Sequence, residues 1–278
     1  MACYLLNASL KDHKRLETIL AFLAWLDKNQ RISAVYRGHA DKDWPITPSA
    51  FRDKAAGITT GLQLHRWQTA ASRFTNPMPR GKVEWLVLAQ HYGVPTPLVD
   101  WTTNPLTALF FAVTEDRSNT DACVIQCDKS AFKLLNVPDS AGLFKGTRMM
   151  PALLDTNSMN ARTIAQDSMM SLHGKFTSPF VPMPHLSESF EILSSQKSDT
   201  RIALKRFGFT PERLYSDLAT VVQEFKVGLG YDKLLGLPVS DDEFFARDAD
   251  EDEDFPKPNI KIAERLPSMK KRTFGSDY

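Results

Sequence analysis

The most constraining stretch of this 278-residue chain is residues 88–113, LAQHYGVPTPLVDWTTNPLTALFFAV. It leaves an apolar helix through His91-Tyr92-Gly93, runs extended through Pro95 and Pro97, and sets Asp100, Trp101, Thr102, Thr103 and Asn104 in five consecutive positions. Pro105 then opens a second apolar helix, at the position where a fixed φ and a missing N–H are tolerated. Polar side chains squeezed between two apolar segments must find partners, because an unpaired buried one is strongly unfavourable. The segment therefore reads either as a satisfied structural corner or as a site. Asp100 or the threonines are expected to cap the helix at Pro105, and capping does not exclude contact with a ligand. Polar loops on a rigid scaffold are where sites tend to form.

Composition narrows the class. With 42% hydrophobic and 24% charged residues the chain reads as globular, and its length suits one large domain or two modest ones. Lys+Arg 34 against Asp+Glu 33 leaves a net charge of +1, so no global field argues for nucleic acid or a membrane. No apolar run approaches the roughly 20 residues of a membrane span, and the first residues lack a signal pattern. No membrane partner is expected. Cys3, Cys123 and Cys127 make no disulfide framework. Cys123 and Cys127 share one strand face as two buried thiols, which suits a reducing, cytoplasmic compartment.

Apolar spacing predicts a helix over 9–29, with Leu16, Ile19, Leu20, Leu23 and Leu26 on its buried face and Ser9 or Asp12 as cap. Residues 33–36 form a short strand that delivers Arg37-Gly38-His39 at its end, and helices follow over 62–75, 82–91 and 106–115. A strand over 122–126, a short helix near 132–135 and a long loop over 137–160 come next. Residues 162–173 read as a strand carrying Gln166, Ser168 and Met170 on one face and Ser171 and His173 on the other. A strand at 190–193 precedes a helix pair over 197–206 and 211–227. An acidic block (241–254) and a basic segment (257–272) then form a charged tail from 236, after a domain spanning 1–235.

Several chemistries are excluded at this level. There is no GxGxxG, P-loop, HExxH or Gly-x-Ser-x-Gly, and the six histidines show no metal-ligand spacing, so no metal is expected. What remains is arginine and polar chemistry. At the end of a strand, the Arg37 guanidinium offers a rigid fork of donors for phosphate or carboxylate, and Gly38 allows close approach of a ligand or backbone. Internal pairing of Arg37 with Asp100 or another acid is the structural alternative. His39 sits at the same mouth.

Three separated pieces together resemble the FRG domain family. They are Tyr36-Arg37-Gly38-His39 with Trp44-Pro45 and 48–52; then Gln90-His91-Tyr92-Gly93, Thr96, Leu98, Asp100-Trp101-Thr102, Asn104-Pro105 and 108–112; then Ala165-Gln166 with Ser171-Leu172-His173-Gly174. The helix pair ending in residues 214–218 resembles the family's C-terminal piece, so the likeness spans about 17 to 230. Pro97 stands where the family pattern has an arginine, and Ser168 and Met170 stand where it has Gly and Phe.

The resemblance implies, by the order of these features, a distant analogy with ADP-ribosyltransferases. By that analogy NAD is the substrate, and Arg37 binds its pyrophosphate or ribose side. Thr102 and Thr103 support the nicotinamide ribose, and Gln166 stands at the later-strand position. Tyr36, Gly38, His39, His91, Trp101, Asn104 and His173 complete the binding set, with Asp100 and Gln166 as catalytic candidates. The usual transferase glutamate is missing at Gln166 and Ser168; Glu188, Glu191 or Asp100 is the carboxylate that would replace it.

Three functional readings stay open. One is an ADP-ribosyltransferase-like or NAD glycohydrolase enzyme acting as a bacterial toxin or phage-defence effector. Another is a non-catalytic nucleotide- or nucleic-acid-binding module using Arg37, His39, Arg52, Arg66, Arg73 and Arg80. The last is a protein-interaction module using the charged tail. The expected architecture is α+β, a helical N-terminal part with a small mixed or antiparallel sheet and a pocket between Arg37 and the Asp100 turn.

Overall fold

In the computed structural model, which describes residues 2–53, 56–114, 119–134, 144, 150–216, 220 and 222, the Tyr36 strand is β1 (Ala34–His39). The extended run after Pro97 is β2 (Leu98–Thr102). Both lie inside a seven-stranded sheet, completed among the described residues by β3 (Ala122–Asp128), β4 (Lys133–Leu134), β5 (Ala152–Asp155), β6 (Ser168–Leu172) and β7 (Ser187–Ile192). The order is β4-β5-β6-β2-β1-β3-β7, and every neighbouring pair is antiparallel except β4 with β5. The fold is α+β with a mixed sheet.

The pairing is uneven, and that unevenness makes the site. β1 pairs with β3 along its whole length, from Ala34↔Asp128 to His39↔Cys123. β2 does the same with β6, from Leu98↔Leu172 to Thr102↔Ser168. Between β1 and β2 the register holds only at Tyr36↔Thr102. The sheet is two half-sheets joined at one residue pair and parted beyond it.

The helices are α1 (Ala2–Lys28), α2 (Gly61–Ala71), α3 (Lys82–His91), α4 (Pro105–Thr114), α5 (Ala161–Ala165), α6 (Lys197–Arg206) and α7 (Pro211–Tyr215). Alternation along the strands sends Val124 and Ile192 to the face where Phe22, Leu109 and Leu204 of α1, α4 and α6 pack. Leu98, Leu154 and Leu172 meet Leu64, Val83 and Leu86 of α2 and α3. The opposite face buries Val35, Val99, Trp101 and Leu153 beneath Ile46 and Phe132. Burial of such side chains contributes about 25 cal/mol per Å² of apolar area removed from water.

At Gly38, α4 lies against β1 with no side chain between them. A Cβ added at Gly38 would sit 2.0 Å from the Ala108 carbonyl oxygen and 2.6 Å from the Ala112 nitrogen. The two alanines, both fully buried, are the helix's half of that contact. The glycine of the Tyr-Arg-Gly motif is thus explained by backbone approach rather than by a turn.

Several expectations are corrected. α1 begins at Ala2 rather than at residue 9, and among its described side chains Thr18, Ile19 and Phe22 are buried, while Leu20 and Leu23 are exposed. Phe22 stacks on Trp25 with ring centroids 5.7 Å apart, and both meet Phe190. Contact with Phe190 on β7, which periodicity in the helix cannot reveal, sets its rotation. In place of a helix near 132–135 there is a 3-10 turn at Lys129–Ala131 and then β4. Within the expected loop over 137–160, residues 152–155 form β5. The rest of that loop is largely outside the described residues, as are most of 217–227. The described residues belong almost wholly to the compact unit Met1–Val221, and the charged tail from 236 lies outside them.

Replacing Gly38 with Ala should lower stability by about 2 kcal/mol or more, because backbone cannot yield to the new methyl. Gly61→Ala, where nothing lies within 4 Å, should be neutral or stabilising. Urea denaturation midpoints of the two variants check the contrast.

Candidate functional site

A cleft of about 900 Å³ opens where β1 and β2 part. Arg37 stands at the split. Its Nη1 donates to the Asp100 carbonyl at 2.6 Å, and its Nε donates to His39 Nε2 at 2.8 Å. A guanidinium thus meets a backbone carbonyl of β2 where the β1–β2 ladder has stopped. His39 Nε2 accepts, so the imidazole is neutral with its proton on Nδ1. Burial first, then the Arg37 and Arg52 guanidiniums, depress His39 to about 3.

The Asp100 side chain points to the face bearing α3. Its Oδ1 accepts from Gln90 Nε2 at 2.7 Å, and Gln90 Oε1 accepts from the Thr96 hydroxyl. Thr96 N in turn donates to Ser49 Oγ at 3.1 Å. Asp100 is exposed while Thr96 is fully buried, so an anchored chain of hydrogen bonds holds a carboxylate in the open cleft. The sequence reading missed Gln90. Its signal was its place one residue before His91, on the last turn of α3.

The far wall is built from α5 and α7. Gln166 does not lie on a strand: it caps the C-terminus of α5, and Asp167 follows with φ 47° before β6 begins. The expected strand over 162–173 is therefore a short helix and a shorter strand. An Asn160–Thr163 capping box starts that helix locally. Gln166 Nε2 donates to the Leu214 carbonyl at 3.0 Å, and its own carbonyl accepts from Thr102 Oγ1 at 2.6 Å. Arg162 stands 5.0 Å above the Tyr215 ring, and both line the cleft.

Tyr36, Arg37, Gly38, His39, His91, Asp100, Trp101, Thr102 and Gln166 all line this cleft. Thr103, Asn104 and His173 do not. The cap of α4 is Asn104 rather than Asp100 or a threonine: Asn104 Oδ1 accepts from Leu106 N at 3.0 Å, and Nδ2 donates to Asp167 Oδ2 at 3.2 Å. Thr103 N donates to the Asp167 carbonyl at 3.0 Å. His173 closes a buried relay on the other face, in which the Trp101 indole donates to Ser171 Oγ (2.8 Å) and Ser171 Oγ lies 2.7 Å from His173 Nε2. His173 Nδ1 reaches the Thr177 carbonyl at 3.2 Å, so the ring is neutral with Nδ1 as donor, and burial depresses it to about 4. Glu188 and Glu191 lie on β7 away from the cleft, and Glu191 pairs with Lys42 at 3.0 Å. Arg66, Arg73 and Arg80 are also outside the cleft.

Residues 32–121 match the model of the FRG domain family. This segment of the chain is an FRG domain. It supplies β1, α2, α3, β2 and α4, hence Arg37, His39, Gln90 and Asp100; Gln166, Arg162 and Tyr215 come from beyond it. No curated protein and no solved structure matches the chain. Pro97, the departure from the family pattern, is buried outside the cleft, and its carbonyl accepts from His173 N at 3.0 Å. The thiols Cys123 and Cys127 are buried on β3 and pushed up to about 11 and about 12, first by burial. No described helix is long and apolar enough to cross a membrane.

Both imidazoles bind protons less readily in the folded chain than in the unfolded one, whose histidines titrate near 6.5. The unfolded chain therefore holds up to about two more protons as pH falls from 6.5 towards 4. Stability carried by neutral His39 and His173 is present above pH 6.5 and declines below it, down to about 4 and about 3. NMR of the ring protons should show neither imidazole titrating above pH 5, and denaturation midpoints should fall over that window less steeply in His173→Gln.

Proposed function

We propose that the cleft binds NAD and breaks its nicotinamide–ribose bond, as an ADP-ribosyltransferase or NAD glycohydrolase. The observation that carries this reading is that Arg37, Asp100 and Gln166 line one cleft. Its volume of about 900 Å³ is at the upper end of ordinary small-molecule sites and suits a dinucleotide. Tyr36, Trp44, Phe111 and Tyr215 supply aromatic faces for rings, and three guanidiniums supply donors for phosphates.

The chemistry follows from charge. As the glycosidic C–N bond breaks, its electron pair leaves with nicotinamide and positive charge develops on the ribose. Asp100, oriented by Gln90, is the carboxylate that would stabilise that oxocarbenium-like state. Water, or a hydroxyl or other nucleophile of an acceptor, then attacks the same carbon and gives up a proton. Consumption of NAD would accord with the toxin or phage-defence role that the family resemblance implies.

Nucleotide binding without turnover is the second reading. Gln166 favours it, since the residue that the resemblance assigns to the place of the transferase glutamate is an amide tied to the Leu214 carbonyl. Calorimetry with NAD and chromatography of released nicotinamide decide between the two. The parent should bind NAD and release nicotinamide. Asp100→Asn should cut release about 100-fold or more with affinity retained. Release unchanged by Asp100→Asn contradicts the assigned role, and binding without release leaves the second reading.

A further inference from the structure

We infer that Arg52 joins Arg37 to form a two-guanidinium subsite for a diphosphate, closed around His39. The inference rests on the nucleotide reading of the cleft and adds which part of the ligand is gripped and by what.

The local fold delivers Arg52 to this place. The 3-10 turn Ser49–Phe51 is sewn to the backbone just before β2: Ala50 N donates to the Thr96 carbonyl at 3.1 Å, and Thr96 N donates to Ser49 Oγ at 3.1 Å. Arg52 ends that turn with extended backbone, and its Nε donates to the Thr47 carbonyl at 3.2 Å. That contact ties the side chain down by Nε, and Arg52 lines the cleft. Among the described residues no carboxylate lies within 4 Å of this guanidinium. Arg37 lines the same cleft, held by the Asp100 carbonyl and His39.

Both guanidiniums act electrostatically on the same imidazole, which burial first of all keeps uncharged. Arg37 and Arg52 bring two cations to the lining of one cleft, and an anion bound between them is attracted by both. A single carboxylate would meet one fork. A diphosphate spans two, with charge spread over both phosphoryl groups and donors remaining at each guanidinium. Asp53 and Asp100 line the same cleft, so the pole is not indiscriminately basic, and a rigid pair of forks selects for shape as well as charge.

Isothermal titration with inorganic pyrophosphate, ADP-ribose and adenosine tests this on the full chain. The parent should bind pyrophosphate and ADP-ribose, with affinity falling as salt is raised. Arg52→Gln should weaken both about tenfold or more, leave adenosine unchanged, and leave the thermal midpoint unchanged because the side chain is exposed. Arg66→Gln, an exposed arginine on α2 outside the cleft, should alter nothing. Pyrophosphate that fails to bind the parent, or that binds Arg52→Gln as tightly, overturns the subsite. Failure of the wider reading looks different: diphosphates bound in an Arg52-dependent way with no release of nicotinamide from NAD.

Discussion

Past Tyr36 and Thr102 the two middle strands stop exchanging backbone hydrogen bonds, and a strand carbonyl left without a partner there is unfavourable by an amount comparable to a lost hydrogen bond. The Arg37 guanidinium takes over that role at the Asp100 carbonyl. A side chain thereby replaces a rung of the ladder and keeps the half-sheets apart by its own width. Everything distinctive about the cleft depends on this substitution. It leaves room between β1 and β2, it places a cation at the bottom of the opening, and it ties that cation to the strand that bears the carboxylate.

The two flanks of the split are stabilised by different means. On one side β1 cannot move away from α4, because Gly38 lets the helix backbone rest on the strand. On the other, Trp101 anchors β2 through the Ser171–His173 relay and through an edge contact with Phe132, ring centroids 5.4 Å apart. Each flank is locked by a buried arrangement that has nothing to do with a ligand. Buried polar groups of this kind are satisfied or costly, and Trp101, Ser171 and His173 are mutually satisfied. Rigid flanks are what a preorganised site requires.

Much of this was legible in the chain because local rules agreed with the final packing. The alternation around Tyr36, the proline opening α4 and the apolar runs of α3 and α4 each specify an element without help from distant residues. The convergence of Arg37, Asp100 and Gln166 was also anticipated, from the pattern of the family rather than from spacing. What escaped was set by long-range contacts. The rotation of α1 follows Phe190 on β7, and the C-cap role of Gln166 follows from a left-handed Asp167 that strand alternation conceals. For the same reason Gln90 was not expected in the cleft, and Arg52 was not set apart from Arg66, Arg73 and Arg80, which lie outside it. Gln90 reaches Asp100 from a neighbouring helix, and Arg52 arrives on a 3-10 turn bonded to residue 96.

The central claim is that a ligand lies in the split between β1 and β2, over the Arg37 guanidinium. A crystal of the protein grown with ADP-ribose tests it most directly. The account predicts density between the half-sheets, with phosphoryl oxygens within hydrogen-bond reach of Arg37 and a ribose beside Asp100. Density on another face of the molecule, or an empty split at a concentration that saturates binding in solution, would contradict it.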